Sequence, residues 1–248
     1  MTAHESFGYD LNMFKSQEAT VKGGLSRAAI LEHALRLFRT KGFDNSKMRE
    51  IATAAGAALG AAYYYFPSKE AIVQAYYETV QSEHESRVRS ALSESTTNLR
   101  DRLGLVFHSK LDILRDDRKL MGTLFRYTGE PDHPLSVLGP ATRTSRAQSI
   151  AIFASALGNE SLPKDIREFL PTALWVLHMG ILIFFIYDNS AAQQRTRKLT
   201  NGVLDLVVGL LRMVKSPLLK PFRGKLVALL RDVDLLPQTH EILKEEPQ

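Results

Sequence analysis

The chain has 248 residues and contains no cysteine. The lack of thiols excludes disulfide bonds, thiolate zinc sites and cysteine nucleophiles, and it fits a reducing compartment. Common catalytic signatures are also missing, because the sequence has no G-x-S-x-G, no phosphate-binding P-loop, no G-x-G-x-x-G and no H-E-x-x-H. We therefore expect neither an enzyme nor a resident cofactor.

Two small groups of side chains have spacing compatible with a metal ion. His108 and Asp112 lie four residues apart, and Glu83, His84 and Glu85 are consecutive. Two ligands do not make a metal site, and clustered charges usually face water. We expect both groups at the solvated surface and no bound metal.

Signals for export or membrane insertion are weak. The N-terminus lacks the basic-then-apolar pattern of a signal peptide. The longest apolar segment, Ala173–Tyr187, is 15 residues long and includes His178, whereas a spanning helix needs about 20 apolar residues. We interpret it as a helix buried at an interface and expect a cytoplasmic protein.

The net charge of +5 gives a mild bias towards polyanions. Residues 195–231 contain nine Lys or Arg and only one Asp. A solvated interface rim is the default explanation of this excess. Contact with anionic lipid is an alternative, because several leucines and Phe222 lie beside Lys220, Arg223 and Lys225.

Hydrophobic spacing predicts an all-α fold, with no credible strand. After a loose arm at residues 1–22, a first helix covers residues 27–41, with Ser26 as its N-cap and Gly42 at its end. A second helix, Lys47–Ala54 with Ser46 as N-cap, and a third, Ala58–Tyr64, flank a tight turn at Gly56. A third helix this short is displayed rather than buried, which is the geometry that places side chains in the DNA major groove.

Helical patterns continue to the C-terminus. A long fourth helix begins near Lys69, and Pro171 is predicted to start a separate apolar helix after a short one at Lys164–Phe169. The clearest pattern is in Gln194–Val214, where large apolar residues recur at alternating intervals of four and three residues. This spacing is typical of a helix–helix interface, here called the seam, and two glycines beside it lie one heptad apart. The seam consists of Leu199, Val203, Leu206, Leu210 and Met213, with Gly202 and Gly209 beside it.

The segment from Arg27 to Lys69 resembles a known family. It contains Gly42-Phe43, the small hydroxyl of Ser46, the run from Ile51 to Gly56 (IATAAG), Gly60, the run from Tyr63 to Phe66 (YYYF) and Ser68-Lys69-Glu70. In this order and spacing they resemble the N-terminal domain of the TetR family of bacterial transcription regulators. About 50 residues match closely, and the remainder matches only as a helical body of suitable length.

The resemblance implies a homodimer in which each subunit has a three-helix DNA-binding head and a helical body. We assign residues 23–83 to the head, with its helix-turn-helix at residues 47–66, and residues 84–248 to ligand binding and dimerisation. In the family the dimer interface is built largely from the last two main helices, so the seam residues are its candidates here. The predicted function is a repressor that a small hydrophobic or aromatic ligand releases from a near-palindromic operator. An activator or a ligand-independent DNA-binding protein is the alternative, and a membrane-associated helical sensor is less favoured.

The candidate DNA-binding residues are Arg27, Ser46, Lys47, Arg49, Ala58, Leu59, Ala61, Tyr63, Tyr64 and Lys69. By the resemblance, Tyr63, Tyr64 and Lys69 contact phosphates. Backbone N–H groups at Ser46 and Lys47 are placed to meet another phosphate. Positions 57–61 should face base edges, yet they carry no hydrogen-bonding side chain, so thymine methyl contacts and DNA shape must contribute more.

Some of these residues have simpler explanations. Arg49 could instead pair with Glu50 or Glu32, Gly60 could serve close helix packing, and Tyr65 and Phe66 are expected in the core. For the pocket, the candidates are Phe107, Leu111, Phe125, Tyr127, Trp175, His178 and Met179, of which His178 and Tyr127 could fix a polar group. Each could also simply fill the core, and the sequence does not name the effector or the regulated genes.

Overall fold

The computed structural model describes residues 27–94, 98–214, 216, 218 and 220–232, and every regular element in these ranges is helical. The predicted all-α fold is confirmed. The arm at residues 1–22, Ser26 as a cap and the polar C-terminal tail lie outside the described residues.

The described ranges contain ten α-helices. They are α1 (residues 27–41), α2 (Met48–Ala54), α3 (Leu59–Tyr65), α4 (Lys69–Glu94), α5 (Leu99–Ile113), α6 (Arg118–Leu124), α7 (Arg143–Leu157), α8 (Lys164–Tyr187), α9 (Gln194–Val214) and α10 (Lys220–Asp232). Short 3₁₀ turns occupy Arg115–Asp117, Phe125–Gly129, Pro140–Thr142 and Ala191–Gln193.

The chain forms two compact units. Among the described residues, the first combines residues 27–79 with Lys119–Thr142, and the second combines Val80–Arg118 with residues from Arg143 to Asp232. The predicted end of the head at residue 83 lies inside α4 and stays a prediction. No local pattern indicated that Lys119–Thr142 belongs with the head.

Every helix of the head contributes buried apolar side chains to the small core of the first unit. Its buried apolar side chains are Ile30, Ala34, Phe38, Phe43, Met48, Ile51, Ala62, Phe66, Ile72 and Val73. Gly42 at φ +90° ends α1, and Gly56 at φ +63° makes the turn between α2 and α3. Both glycines occupy the left-handed region that the sequence predicted for them, where a Cβ would add strain.

In the second unit, α5 packs against α7 and α9, and α8 packs against α7, α9 and α10. The largest fully buried side chains here are Phe107, Phe153, Phe185, Leu103 and Leu111. A carboxylate caps the start of α9: Asp188 accepts hydrogen bonds from the backbone N–H and hydroxyl groups of Ser190 and Thr196, at 2.7–2.9 Å.

The predicted break before Pro171 is wrong, because α8 runs from Lys164 through Pro171 to Tyr187. Proline in a helix interior removes one backbone hydrogen bond and costs about 3 kcal/mol. Burial on both sides offsets that cost: Ile166 and Leu170 precede the proline, and Leu174 and Trp175 follow it on the same buried face. Tertiary packing has overridden the local preference.

The same helix is the one described segment that is long and apolar enough to cross a membrane, by length and composition alone. Of its most apolar window, 44% is buried within the chain. A core helix of a soluble protein meets the same test, so the segment is weak grounds for a membrane span.

Candidate nucleic-acid interface

Helix α3 is displayed on the surface of the first unit. Its one buried residue is Ala62, whereas the side chain of Tyr63 is 50% exposed and that of Tyr64 is 82% exposed. Two exposed phenols on one short helix are uncommon for large aromatic side chains, which usually bury much of their area. The arrangement leaves both hydroxyl groups available to a partner molecule.

The residues at the start of α3 have mostly small side chains. Ala58 and Gly60 are exposed, and Leu59 and Ala61 are half-buried. A Cβ built on Gly60 meets no atom within 4 Å, so close helix packing within the subunit does not explain this glycine. The surface can therefore approach another backbone closely.

The expected role of Ser46 is corrected by its environment. The helix begins at Met48 with Lys47 as N-cap, and Ser46 is 1% exposed, with its hydroxyl donating to Gly42 O at 2.7 Å. Its N–H donates to Phe43 O, and the N–H of Lys47 donates to the Glu50 carboxylate at 3.1 Å. Both backbone donors that we expected to meet a phosphate thus have partners inside the protein.

Lys69 is also engaged within the first unit. Its ammonium donates to Phe43 O at 2.7 Å and lies 4.5 Å from the centroid of the Phe43 ring. Ser68 accepts from the Ala71 N–H as the expected cap of α4. Lys69 therefore ties α4 to the turn after α1, and a phosphate contact would have to share its charge with that turn.

The arginines of the head differ in their surroundings. Arg49 and Lys47 are exposed on α2 and its cap. The two acids suggested as partners of Arg49 are paired elsewhere, since Glu50 binds Lys41 at 2.6 Å and Glu32 binds Arg36 at 3.0 Å. Arg27, also exposed, lies over the Phe66 ring at 4.9 Å.

The sequence did not reveal a polar network between the turn after α1 and the segment after α6. Asp44 accepts hydrogen bonds from the Tyr127 hydroxyl at 2.6 Å and from Arg126 at 2.5 Å. These bonds hold the pKa of Asp44 below its ordinary value. The Tyr127 ring also packs on Phe43 and stacks on His133.

This network gives Tyr127 partners within the first compact unit, and its assignment as a pocket residue stays a prediction. Tyr127 and the half-buried Phe125 belong to the first compact unit, whereas the other five candidates belong to the second. No local spacing rule links residues 44 and 127, which is why their contact left no signal in the sequence.

In the second unit two of the remaining pocket candidates, Phe107 and His178, form an aromatic cluster with Phe153. The His178 ring lies 4.8 Å from Phe107 and 5.6 Å from Phe153, centroid to centroid. Leu111 and Trp175 are buried and Met179 is half-buried. Burial lowers the pKa of His178 well below its ordinary value, so this imidazole is neutral.

His84 is buried in the same unit, with 2% of its surface exposed, and the expectation of a solvated position for it is wrong. Val80, His84 and Val88 follow one another at four-residue steps on the inner face of α4, a helical period that would have predicted a buried position. Burial lowers the pKa of His84 to about 3 and that of Lys110 to about 7.

His108 and Asp112, the pair whose spacing is compatible with a metal ion, have other partners. His108 bonds Asn201 at 2.9 Å, and Arg197 bonds both His108 and Asp112. These contacts join α5 to α9. Among the described residues no cluster of three or more potential ligands could hold a metal ion.

The seam on α9 faces away from the helices that it packs against in this chain. Leu206 is 69% exposed, Leu210 and Met213 are similarly open, Leu199 is 39% exposed and Val203 is half-buried. The opposite face, with Leu204 and Val208, is buried. Neither Gly202 nor Gly209 would bring a Cβ within 4 Å of another atom. Val176, Ile183, Phe184 and Tyr187 form a second exposed apolar row on α8.

A short helix displayed after a tight glycine turn, on a three-helix core, defines a helix-turn-helix protein of the DNA-binding class. Comparison with known families agrees. The model of bacterial regulatory proteins of the tetR family matches residues 30–76, and that of the tetracyclin repressor-like C-terminal domain matches residues 102–222. The chain belongs to the TetR family, and it is a DNA-binding transcription regulator rather than an enzyme.

The curated relatives match only in part. The HTH-type transcriptional regulator TtgR of Pseudomonas putida is 35% identical over 69 residues, which are 28% of this chain and 33% of TtgR. The regulator YuxN of Bacillus subtilis is 48% identical over 44 residues, which are 18% of this chain and 15% of YuxN. The chain spans about a third or less of the length of these relatives.

Solved structures share the fold more widely. The TetR transcriptional regulator from Nitrosomonas europaea superposes with a TM-score of 0.59 at 19% identity, covering 73% of this chain and 96% of that one. Thermus thermophilus FadR, a repressor in complex with lauroyl-CoA, superposes with a TM-score of 0.56 at 20% identity, covering 77% and 95%. At these identities the likeness establishes the fold alone.

Proposed function

We propose that the protein is a homodimeric repressor whose α3 helices contact two half-sites of a near-palindromic operator. The observation that carries this proposal is the exposure of α3, with Tyr63 and Tyr64 open to solvent and Gly60 leaving space for a close approach. We assign phosphate contacts to the two phenols, Lys47 and Arg49, and base-edge or shape contacts to Ala58, Leu59 and Ala61.

The dimer is supported by the α9 seam. Large apolar side chains that recur at heptad spacing on an exposed face usually mark an interface. The row on α8 supplies a second apolar surface of the same unit. Covering both rows would remove most of the exposed apolar area of these helices from water.

Control by a small molecule is proposed for the second unit, consistent with a pocket in the body of the family. FadR supports this idea only as a family example, since its structure is a complex with lauroyl-CoA. An activator would use the same DNA contacts, and transcription measured with and without the gene distinguishes the two.

The membrane-associated alternative rests on α10. Phe222 is 76% exposed, Leu226 and Leu229 are also exposed, and Lys220 and Lys225 lie beside them. Sedimentation with anionic vesicles, with and without residues 216–236, tests this alternative. We favour the regulator because α3 has a defined partner chemistry, whereas α10 has only an amphipathic face.

The test of the proposed function is fluorescence anisotropy with duplexes tiled across the region upstream of the gene. We expect one duplex to bind at least about tenfold more tightly than a scrambled control, with two protomers per duplex. Equal binding of all duplexes, or one protomer per duplex at saturation, would contradict it. Native mass spectrometry of the purified protein identifies any co-purifying effector.

A further inference from the structure

Among the described residues of the second unit, the buried polar atoms without a hydrogen bond include Gln81 Nε2, His84 Nδ1 and His178 Nε2. These three side chains are only 2–3% exposed. The His84 and His178 rings lie 6.2 Å apart, centroid to centroid. Buried polar groups are normally paired, because leaving one unpaired carries a desolvation cost. Several unpaired groups near aromatic rings are typical of a ligand site.

Hydrogen bonds fix the chemical character of two of these atoms. His84 Nε2 lies 2.9 Å from Val106 O. A carbonyl can only accept, so Nε2 carries the proton of this neutral imidazole and Nδ1 presents a lone pair. His84 therefore needs a hydrogen-bond donor from any ligand at this position.

Gln81, in contrast, needs a hydrogen-bond acceptor from the ligand. Its Oε1 accepts from Ser149 Oγ at 2.8 Å and from Lys110 Nζ at 3.3 Å. Both hydrogen bonds use the amide oxygen as acceptor, so the NH₂ group of Gln81 is left without a partner. Gln81 Nε2 thus offers a donor to an acceptor atom of the ligand.

A hydroxyl group is the small functional group that both donates and accepts. A carboxylate would satisfy Gln81 but would set its negative charge against the lone pair of His84. An apolar molecule would leave both groups unpaired. The surrounding rings of Phe107, Phe153 and His178 favour an aromatic carrier for this hydroxyl.

A groove on the same unit opens about one helical turn from this cluster along α4 and α7. It has a volume of about 380 Å³ and lies between α4 and α7, with Val88, Leu92 and Ile152 among its lining residues. Val88 is one helical turn from His84, and Ile152 is close to one turn from Ser149. The volume falls in the range of small-molecule sites.

We propose that this groove and the adjoining cluster of Gln81, His84 and His178 bind a phenol, whose hydroxyl group donates to His84 and accepts from Gln81. The inference rests on the proposed function for its regulatory meaning, but the binding itself does not. The phenolic ring packs among the aromatic side chains, and its substituent extends along the groove towards Leu92.

Isothermal titration calorimetry of the full chain without DNA tests the proposal with three matched probes: 4-propylphenol, 4-propylbenzoate and propylbenzene. Two hydrogen bonds of ordinary strength correspond to a preference of at least about tenfold. We expect 4-propylphenol to bind more tightly than either other probe by at least this factor. Equal affinity for 4-propylphenol and propylbenzene, tighter binding of the benzoate, or no binding of any probe would overturn the proposal.

Two variants locate the site, and a third serves as control. Gln81→Met and His84→Phe each remove one hydrogen bond and should reduce the preference for 4-propylphenol over propylbenzene by about fivefold, whereas Gln74→Met, in the other unit, should leave it unchanged. A full preference retained in both site variants would overturn the assignment. The probe series uses the unmodified protein, so its result stands even if a variant does not fold.

DNA binding measured in parallel separates the two proposals. Loss of the phenol preference with intact operator binding would overturn only the ligand site. Phenol binding without any operator binding would overturn the regulator and leave the ligand site in place.

Discussion

Replacing Gly60 with alanine should stabilise the protein and weaken its binding to DNA. Gly60 lies inside α3 without a positive φ, and its added Cβ would meet no atom within 4 Å. Alanine therefore gains helix propensity of about 1 kcal/mol without a steric penalty in the free protein. In the proposed complex the same methyl group lies between α3 and the duplex.

Adding a methyl group to a close-packed contact costs about 1–3 kcal/mol. The proposed dimer places one such methyl group in each half-site, so at about 1.4 kcal/mol per factor of ten the operator affinity should fall by at least roughly 30-fold. Urea unfolding measures the stability of each variant, and fluorescence anisotropy measures its affinity for the operator. The two changes should have opposite signs.

Gly224→Ala on α10 is the matched control, because this glycine is also helical and open. It should raise stability by a similar amount and leave DNA affinity unchanged. Operator binding by Gly60→Ala at the level of the unmodified protein would refute the close approach of α3, whatever happens to stability.

Three further predictions concern other parts of the chain. Leu206→Glu should convert the dimer to a monomer by placing a charge in the α9 seam, and analytical ultracentrifugation would contradict the seam if the dimer persisted. Tyr127→Phe removes the hydrogen bond to Asp44 and should lower the free energy of unfolding by about 0.5–1.5 kcal/mol. In an Asp44→Ala background, which lacks the acceptor, the same change should have no effect, and an equal loss in both backgrounds would refute the pairing. Burial raises the pKa of Asp188, but hydrogen bonds from Ser190 and Thr196 outweigh it and hold this pKa below its ordinary value. The stability that Asp188 contributes is therefore present above its unfolded pKa of about 4 and is lost as the pH falls through its folded pKa. Asp188→Asn should reduce the free energy of unfolding at neutral pH and make it less dependent on pH in the acid range. An unchanged dependence on pH would argue against the cap.

The head could be predicted from the sequence because local rules determine it. Gly42 and Gly56 have the positive φ that the end of a helix and a tight turn favour, and Met48, Ile51 and Ala52, at helical spacing, are buried on one face of α2. Short helices bounded by such turns have few alternative arrangements. The roles of Tyr63 and Tyr64 were expected from the family resemblance rather than from local spacing, and both side chains are exposed.

The parts that could not be predicted depend on long-range contacts. Asp44 and Tyr127 are 83 residues apart, and the cluster of Gln81, His84 and Lys110 forms only when α4 packs beside α5. The capping of α2 also depended on a competition that local propensity does not decide. Ser46 lies buried with its hydroxyl on Gly42 O, and the Glu50 carboxylate binds the first free N–H instead.

At Pro171 a local rule was available but gave the wrong prediction. A local rule ended a helix before Pro171, yet apolar residues on both sides of the proline share one buried face of α8. The cost of a missing hydrogen bond is small beside the burial of several large side chains, each contributing about 1.5–3 kcal/mol. Only the packed structure reveals which contribution is larger.

The salt dependence of operator affinity, measured for the unmodified protein, Arg49→Gln and Arg195→Gln, tests whether DNA is bound by the head. Both arginines are exposed, but Arg49 lies on α2 of the head and Arg195 lies on α9. Each phosphate contact contributes about 0.9 to the slope of log affinity against log salt. A symmetric dimer with Arg49→Gln loses two contacts, so we predict weaker binding and a slope smaller by about two, with Arg195→Gln unchanged. An unchanged slope for Arg49→Gln, or a loss confined to Arg195→Gln, would contradict a duplex bound at α2 and α3.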